Sequence, residues 1–358
     1  MSGEGSQAER RATISVVIVN WNSRADVLAA VTSLRPQLGE GDSLVVVDNG
    51  STDGSLEALG AEAGVRLIPT GENLGFAEGV NRGIDAHESE WVLLFNNDAV
   101  AHEGFVAALR EVAAIAPEDV GSLQPLLVFA QDIARVNSTG VVIFATGRAR
   151  DRSFADRVDS VEGEGEPFCA TGGAALYRRS MLEVLRGPHG YLDRRYFMYF
   201  EDVDLGWRAR LAGYRTSFVK AAVAAHRFQG SSRRRGQAFV ALHALPNRLV
   251  TLLKNGSRGL LLRTVPATVE DLWKLGRVGG VPALAKLLAR LPGALRDRAA
   301  TPDEHRARRA DVESVWLSSP QAPTPPWDPE ASSLAQPVEA LGTMLSAFAR
   351  ARQETTRG

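Results

Sequence analysis

The stretch WVLLFNNDAV, residues 91–100, carries the reading of the fold. Its first half, Trp91 to Phe95, is too short for a helix and has the composition of a strand covered on both faces. The run then stops in three polar side chains, Asn96, Asn97 and Asp98. Packing gives no reason for such an ending. Asn and Asp are also favoured in turns. The triplet alone therefore leaves two readings open: a plain turn, or groups placed at a strand end to meet a ligand.

Three upstream runs have the same character: ISVVIVN (14–20), SLVVVD (43–48) and VRLIP (65–69). Between and after them lie segments with helical spacing. These are SRADVLAAVTSL (23–34), NGSTDGSLEALGAEA (49–63), GFAEGVNRGIDAH (75–87) and EGFVAALREVAAIA (103–116). Ser23 and Asp53 are candidate N-caps for the first two, and Pro117 stops the last. Strands alternating with helices in this way predict an α/β fold, a mostly parallel sheet covered on both faces. Asn20, Asp48 and Asn96 to Asp98 then fall together at carboxyl ends of strands, where open α/β sheets bind ligands. Repetition at three strand ends favours a site over turns.

Beyond residue 125 the pattern is mixed. RARDRSFADRVDSVEGEGEPF (148–168) is densely charged and reads as a mobile excursion or lid. CATGGAALYRRS (169–180) holds a short strand, YFEDVDLGWRARLAGY (199–214) a helix, and RTSFVK (215–220) another strand. Residues 236–300 are helical and basic, whereas SSPQAPTPPWDPEASS (318–333) is a Pro- and Ser-rich linker. Residues 334–351 suit one last short helix.

Composition bounds the function. A chain of 358 residues with 44% hydrophobic content can bury a large core. A net charge of -1 gives no field that points to nucleic acid. The single cysteine, Cys169, forms no internal disulfide and suits a reducing compartment. MSGEGSQAERRAT (1–13) has no apolar core of a signal peptide, and no stretch reads as a membrane span. The expectation is a cytoplasmic protein, soluble or peripheral at the inner face of the membrane.

A dinucleotide-binding fold fails at the first turn, where WNSRAD replaces G-x-G-x-x-G, and no P-loop occurs. Asp48 can still accept hydrogen bonds from a ribose or a base, but it would repel phosphate. Phosphates would then need cationic help. Asp98 is a hard oxygen ligand suited to Mg²⁺ or Mn²⁺, ions commonly shared between carboxylates and substrate phosphates.

VVIVNWNS, VVVDNGSTDGS, ENLGFAEGVNRG, LLFNNDA, TGGAALYRR and FMYFEDVDLGWRARLAGYRT occur in this order. Together they resemble inverting glycosyltransferases of family 2, with the GT-A fold, nearest the rhamnosyltransferase-like branch. The resemblance spans about residues 14–230. It implies that Asp48 contacts the nucleotide base, and that Asn20, Asn22, Asn73 and Gly75 border the nucleotide. Asn96 to Asp98 match the D-x-D element, with Asn96 and Asn97 toward the nucleotide and Asp98 on the metal. Here Asn replaces Asp at the first two positions, so weak metal binding before the nucleotide arrives is expected. Asp202 matches the catalytic base and His226 a second metal ligand. The implied donor is a nucleotide-diphosphate sugar, dTDP-L-rhamnose by branch, with UDP-hexose or galactofuranose donors behind it. The implied acceptor is a glycan or a polyprenyl-linked sugar, in cell-wall or surface polysaccharide synthesis.

The neighbouring residues keep plainer readings. Glu201 and Asp204 in a helix's first turn favour its macrodipole without any chemistry. GSSRRRG (230–236) is either a phosphate contact or a solvated basic loop. The basic helices either lie on an anionic membrane or pack on the catalytic domain with a solvated face. The expected domains are a disordered N-terminus (1–13) and a catalytic domain (14–235), divided into a nucleotide half (14–125) and an acceptor half (126–235). A basic helical extension (236–315) and a linker with a terminal helix (316–358) follow. Two rival functions remain: a sugar-1-phosphate nucleotidyltransferase, which lacks its Gly-rich cationic loop here, and a non-catalytic nucleotide or carbohydrate module.

Overall fold

A computed structural model of the chain describes residues 12–163, 165–227, 230–299 and 308–318. The expected disordered start (1–11), linker and terminal helix (319–358) lie outside the described residues, as do the side chains of the 230–235 arginine stretch.

The four expected strands form: β1 (Ile14–Asn20), β2 (Ser43–Asp48), β3 (Val65–Pro69) and β4 (Trp91–Phe95). They pair in parallel in the order β3-β2-β1-β4. Asn20 lies beside Asp48 in the register, so both strands end together. Around them run α1 (Arg24–Leu34), α2 (Ser55–Gly60), α3 (Phe76–Asp85) and, beyond a short β5 (Ala99–Ala101), α4 (Phe105–Ile115). Alternate residues of β1 serve opposite faces. Ile14, Val16 and Ile18 pack with Val27 and Val31 of α1 and Phe105 and Leu109 of α4. Val17 packs with Val80 and Ile84 of α3 on the other side. Helix α3 lies close because Gly79 and Gly83 face the strand. A Cβ at Gly83 would sit 2.2 Å from Val17 Cγ1.

Farther along, the sheet is mixed. Strands β6 (Val120–Phe129), β7 (Asp132–Ser138), β8 (Val141–Phe144), β9 (Ala149–Asp151), β10 (Ala174–Arg178) and β11 (Arg215–His226) follow, with α5 (Arg179–Leu185) and α6 (Glu201–Leu211). β10 runs antiparallel between β4 and β6, and β11 pairs with β6 in parallel and with β5 antiparallel. The main sheet has nine strands. The chain then forms α7 (Gly230–Asn255), α8 (Arg258–Arg263), α9 (Val265–Ala299) and α10 (Arg309–Trp316). A last strand, β12 (Leu317–Ser318), returns to pair with β8.

Three expectations need correcting. Ser23 sits at the start of α1, but its side chain makes no capping bond. Nor is Asp53 the N-cap of α2, a place taken by Gly54; it accepts the Arg24 N–H at 2.9 Å and the Ser55 N–H at 3.1 Å and so ties two helix starts together. The charged segment 148–168 is a packed excursion: β9 pairs with β8, and Ala155, Val161 and Phe168 are buried. Its charges bond within the fold, as where Arg210 reaches Glu166 and the carbonyls of Pro167 and Phe168. Finally, α9 is long and apolar enough to cross a membrane by length and composition alone, with mean hydropathy 1.2 over its most apolar window and 11% of that window buried, although Gly280 (φ 60°, ψ -160°) breaks it into two helices joined at a kink.

Candidate active site

A cavity of about 430 Å³ opens at the carboxyl ends of β1 and β4, within the range of small-molecule sites. Asn96, Asn97 and Asp98 line one side, with His226 from the end of β11. Gly172, Asp202 and Glu201 line another, and Phe239, Val240 and Ala244 of α7 complete an apolar wall. Residues far apart in sequence thus meet because strand ends and the start of α6 converge here.

Asp98 Oδ1 lies 3.1 Å from His226 Nε2. His226 Nδ1–H donates to Asn137 Oδ1 at 2.8 Å, which turns Nε2 toward the cavity. Asn96 Nδ2 approaches the same Nε2 at 3.3 Å. Burial pushes the Asp98 carboxyl up, but the His226 ring beside it outweighs this and holds it below its usual value. Burial pulls the His226 ring down, and the Asp98 charge more than restores it. A carboxylate facing an imidazole nitrogen needs a proton or a cation between them. The 3.1 Å separation matches two adjacent ligands on an octahedral ion, about 3 Å apart for bonds of roughly 2.1 Å. Among the described residues, no group of three or more His, Cys, Asp or Glu gathers to hold a metal by itself. Asp98 and His226 therefore offer two ligands that would fit a divalent ion, and the rest of its coordination would have to come from outside these side chains.

Asn97 connects this edge to the strand ends below. Its Nδ2 donates to Asn20 Oδ1 at 2.9 Å, and Asn20 Nδ2 reaches Asp48 Oδ1 and Ser51 Oγ, each at 3.3 Å. Asp48 also accepts the Ser51 N–H at 3.0 Å. Asn20 and Asp48 are buried and do not line the cavity. They form its floor beneath Asn97. Asn22 sits to one side, accepting the Thr52 N–H at 2.7 Å. Asn73 and Gly75 do line the cavity, tied by Asn49, whose amide donates to Asn73 Oδ1 at 3.2 Å and Gly75 O at 3.0 Å. Gly75 is glycine of necessity: its φ is +88°, and a Cβ would lie 2.5 Å from the Phe197 ring.

Asp202 is half-buried at the first turn of α6. Its Oδ2 accepts the Gly172 N–H and its Oδ1 the Val203 N–H, both at 2.8 Å. Burial raises its carboxyl above the usual value despite these bonds. A carboxylate fixed by main-chain donors, with burial raising its proton affinity, suits general base work.

The macrodipole reading of its neighbours does not survive. Glu201 is buried, its Oε2 has no partner, and burial beside the Asp202 charge pushes it up to about 8. A neutral carboxylic acid offers a dipole no charge. Asp204 is fully buried between Lys254 at 2.9 Å, Arg208 at 2.9 Å and Asn255 Nδ2 at 2.9 Å. It pins α6 to α7.

The structure adds cavity residues that sequence reasoning missed. Asp151 lines the cavity; burial pushes it up to about 6, against bonds from Ser138 and Thr171. It lay hidden in a charged segment without periodicity. Asn137 and Asn49 were equally silent, although Asn49 directly follows Asp48.

The sequence profile of glycosyl transferase family 2 matches residues 15–186. The N-acetylglucosaminyl-diphospho-decaprenol L-rhamnosyltransferase of Mycobacterium tuberculosis is 32% identical over 253 residues, covering 64% of this chain and 81% of that protein. The chain belongs to glycosyl transferase family 2. Within that family it is rhamnosyltransferase-like. A second relative, the low-salt glycan biosynthesis hexosyltransferase Agl10 of Haloferax volcanii, is 24% identical over 212 residues, covering 55% of this chain and 61% of that one. The GT-A fold expected from the motifs is borne out. A crystal structure of GalNAc-T7 with UDP, GalNAc and Mn²⁺ superposes with a TM-score of 0.58 at 15% identity, covering 86% of this chain and 58% of that one. As a family 2 member the protein is a glycosyltransferase, which removes the nucleotidyltransferase reading.

Proposed function

We propose that the protein transfers L-rhamnose from dTDP-L-rhamnose to a polyprenyl-diphosphate-linked sugar, with inversion, in cell-wall polysaccharide synthesis. The observation that carries the reaction type is one cavity holding the Asp98–His226 pair on one side and Asp202 on another. The donor and acceptor classes rest on the mycobacterial relative, whose name specifies rhamnose and an N-acetylglucosaminyl-diphospho-decaprenol.

In this reading Asn73, Gly75, Asn96 and Asn97 receive the nucleotide, over a floor set by Asn20 and Asp48, with Asn22 shaping the adjoining turn. Asp98 and His226 hold Mg²⁺ or Mn²⁺, which supplies Lewis-acid stabilisation of the leaving diphosphate. The acceptor hydroxyl oxygen bonds to the anomeric carbon as the bond from that carbon to the diphosphate breaks. The hydroxyl proton passes to Asp202. Attack from the face opposite the diphosphate inverts the anomeric centre. The apolar wall that Phe239, Val240 and Ala244 of α7 contribute to the cavity suits an acceptor carrying an apolar chain.

Helix α9 supports a peripheral position on the cytoplasmic face of a membrane. Its outer surface exposes Val269, Trp273, Val281 and Leu288 beside exposed Lys274, Arg277 and Lys286. Its inner residues Leu275, Leu287 and Ala294 pack with Val250 of α7. A helix apolar on one face, cationic at its flanks and packed on its own domain by the other is suited to lie in an interface.

The test incubates the protein with dTDP-L-rhamnose or UDP-hexoses, Mn²⁺ or Mg²⁺, and an N-acetylglucosaminyl-diphospho-polyprenol. Release of dTDP with a rhamnosylated product of inverted configuration is expected. Transfer from UDP-hexose or UDP-galactofuranose alone would replace the donor assignment. Donor binding without nucleoside diphosphate release would leave only a non-catalytic module.

A further inference from the structure

We propose that Asn247 of α7 is a positioning residue for Asp202, holding from the helical extension the strained loop that presents the base. The inference rests on the reading of Asp202 as that base. Phe197, Tyr199 and Phe200 have φ of 64°, 67° and 70°. Bulky side chains avoid this left-handed region, so such a conformation persists only where the surroundings enforce it. Phe200 directly precedes α6, and its carbonyl accepts the Asp204 N–H at 2.8 Å. The strained loop therefore sets the direction in which α6 starts, and with it the place of Asp202.

The loop is held on one side by the Ala77 N–H, which donates to Phe197 O at 3.2 Å, and on the other by one side-chain amide of α7. Asn247 is fully buried, and its Nδ2 lies 3.0 Å from Tyr196 O, 2.9 Å from Met198 O and 2.7 Å from Tyr199 O. An amide has two hydrogens to give, so three carbonyls converge on one donor. Without it they would face one another and repel. The rest of the same helix face points the same way. Thr251, Lys254 and Asn255 follow Asn247 at helical spacing. Thr251 meets the Tyr196 hydroxyl at 2.7 Å, Lys254 meets Asp193 at 3.0 Å, and Asn255 meets Asp204 at 2.9 Å. All four side chains are buried, and each reaches a partner within the 193–204 segment that delivers Asp202. No sequence motif marks this stripe.

The experiment is a double-variant cycle of Asn247→Ala and Asp202→Asn in the full-length protein. It reads kcat, nucleoside diphosphate affinity with Mn²⁺, and Tm. Val250→Ala, in the core of the same helix, matches the loss of stability. Asn247→Ala should lose roughly ten- to a hundredfold in kcat, the scale of a misplaced catalytic group, and keep nucleoside diphosphate affinity. Val250→Ala at a similar Tm should keep its kcat. The double variant should be no slower than Asp202→Asn alone, because both changes remove one function. If Asn247→Ala does not accumulate folded, Asn247→Leu, of similar shape but with no hydrogen to donate, replaces it. An Asn247 variant that turns over like Val250→Ala overturns the proposal. Additive losses in the double variant also overturn it while leaving Asp202 as the base. Full turnover by Asp202→Asn removes the base itself, and the proposal with it.

Discussion

At the scale of single residues, three carboxylates at one cavity do three different things, and their surroundings decide which. Asp98 is held low by His226, so it is charged and ready for a cation. Asp98→Ala should therefore remove metal-dependent nucleotide binding and nearly all transfer. Unchanged turnover at saturating donor, with the same metal dependence, would take Asp98 out of the site. Asp202→Asn keeps shape but cannot accept a proton, so kcat should fall by roughly 10²–10⁴ while donor affinity survives. Glu201 offers a test in stability instead of rate. Its folded value of about 8 lies above its ordinary value near 4.5. The folded state thus retains a proton that the unfolded chain has lost, and stability falls as pH rises between those two values. Above the folded value the loss is complete and flat. Glu201→Gln removes this term, so the variant should gain on the wild type from pH 5 to pH 8. Melting temperatures across that range decide it: parallel curves would mean that Glu201 is ionised throughout.

At the scale of elements, the first four strands and their helices were legible because buried strands and amphipathic helices leave different periods in the sequence. Pro117 and the strand-end Asn and Asp residues supplied the punctuation. The excursion 148–168 was misjudged for a physical reason: its charges bond to partners far away, such as Arg210 and Arg215 on Glu166, and no local pattern records that. The same limit hid Asp151 and the α7 stripe, whose meaning exists only once the chain is folded. Asp204 is the clearest case, read as a helix-dipole charge and found in a buried ion pair between two helices. Removing one partner of such a pair leaves an uncompensated buried charge. Lys254→Met should cost about 3–5 kcal/mol, seen as a lower denaturation midpoint. A midpoint equal to the wild type would mean that Arg208 and Asn255 satisfy Asp204 without it.

At the scale of the whole molecule, the helical extension has two faces with separate work. Its inner face is bound into the catalytic domain: Arg248 donates to Thr146 O at 2.7 Å, Lys254 meets Asp204 at 2.9 Å, and Asp271 meets Arg148 at 3.2 Å. Several basic residues that suggested a membrane in sequence are thus buried and structural. What remains outside is more specific. Val281 is 78% exposed and Leu288 64%, next to the exposed charge of Lys286. Truncation near residue 235 would be a poor test, because it strips Tyr196 of its core partners, Val250, Leu275 and Leu287 among them. Surface substitution is cleaner. Val281→Glu with Leu288→Glu removes apolar area and adds repulsion from anionic lipid without touching Leu275 or Leu287. The wild type should float with vesicles of phosphatidylglycerol at low salt and bind less as salt screens the charges. The double variant should lose most of that binding and keep its Tm. Transfer to a short-chain, water-soluble acceptor should be unchanged, while transfer to a polyprenyl-linked acceptor in vesicles should fall. Equal flotation of both proteins would place the membrane contact elsewhere on the molecule. Absence of flotation by the wild type at low salt would mean that α9 packs on the catalytic domain with a solvated basic outer face.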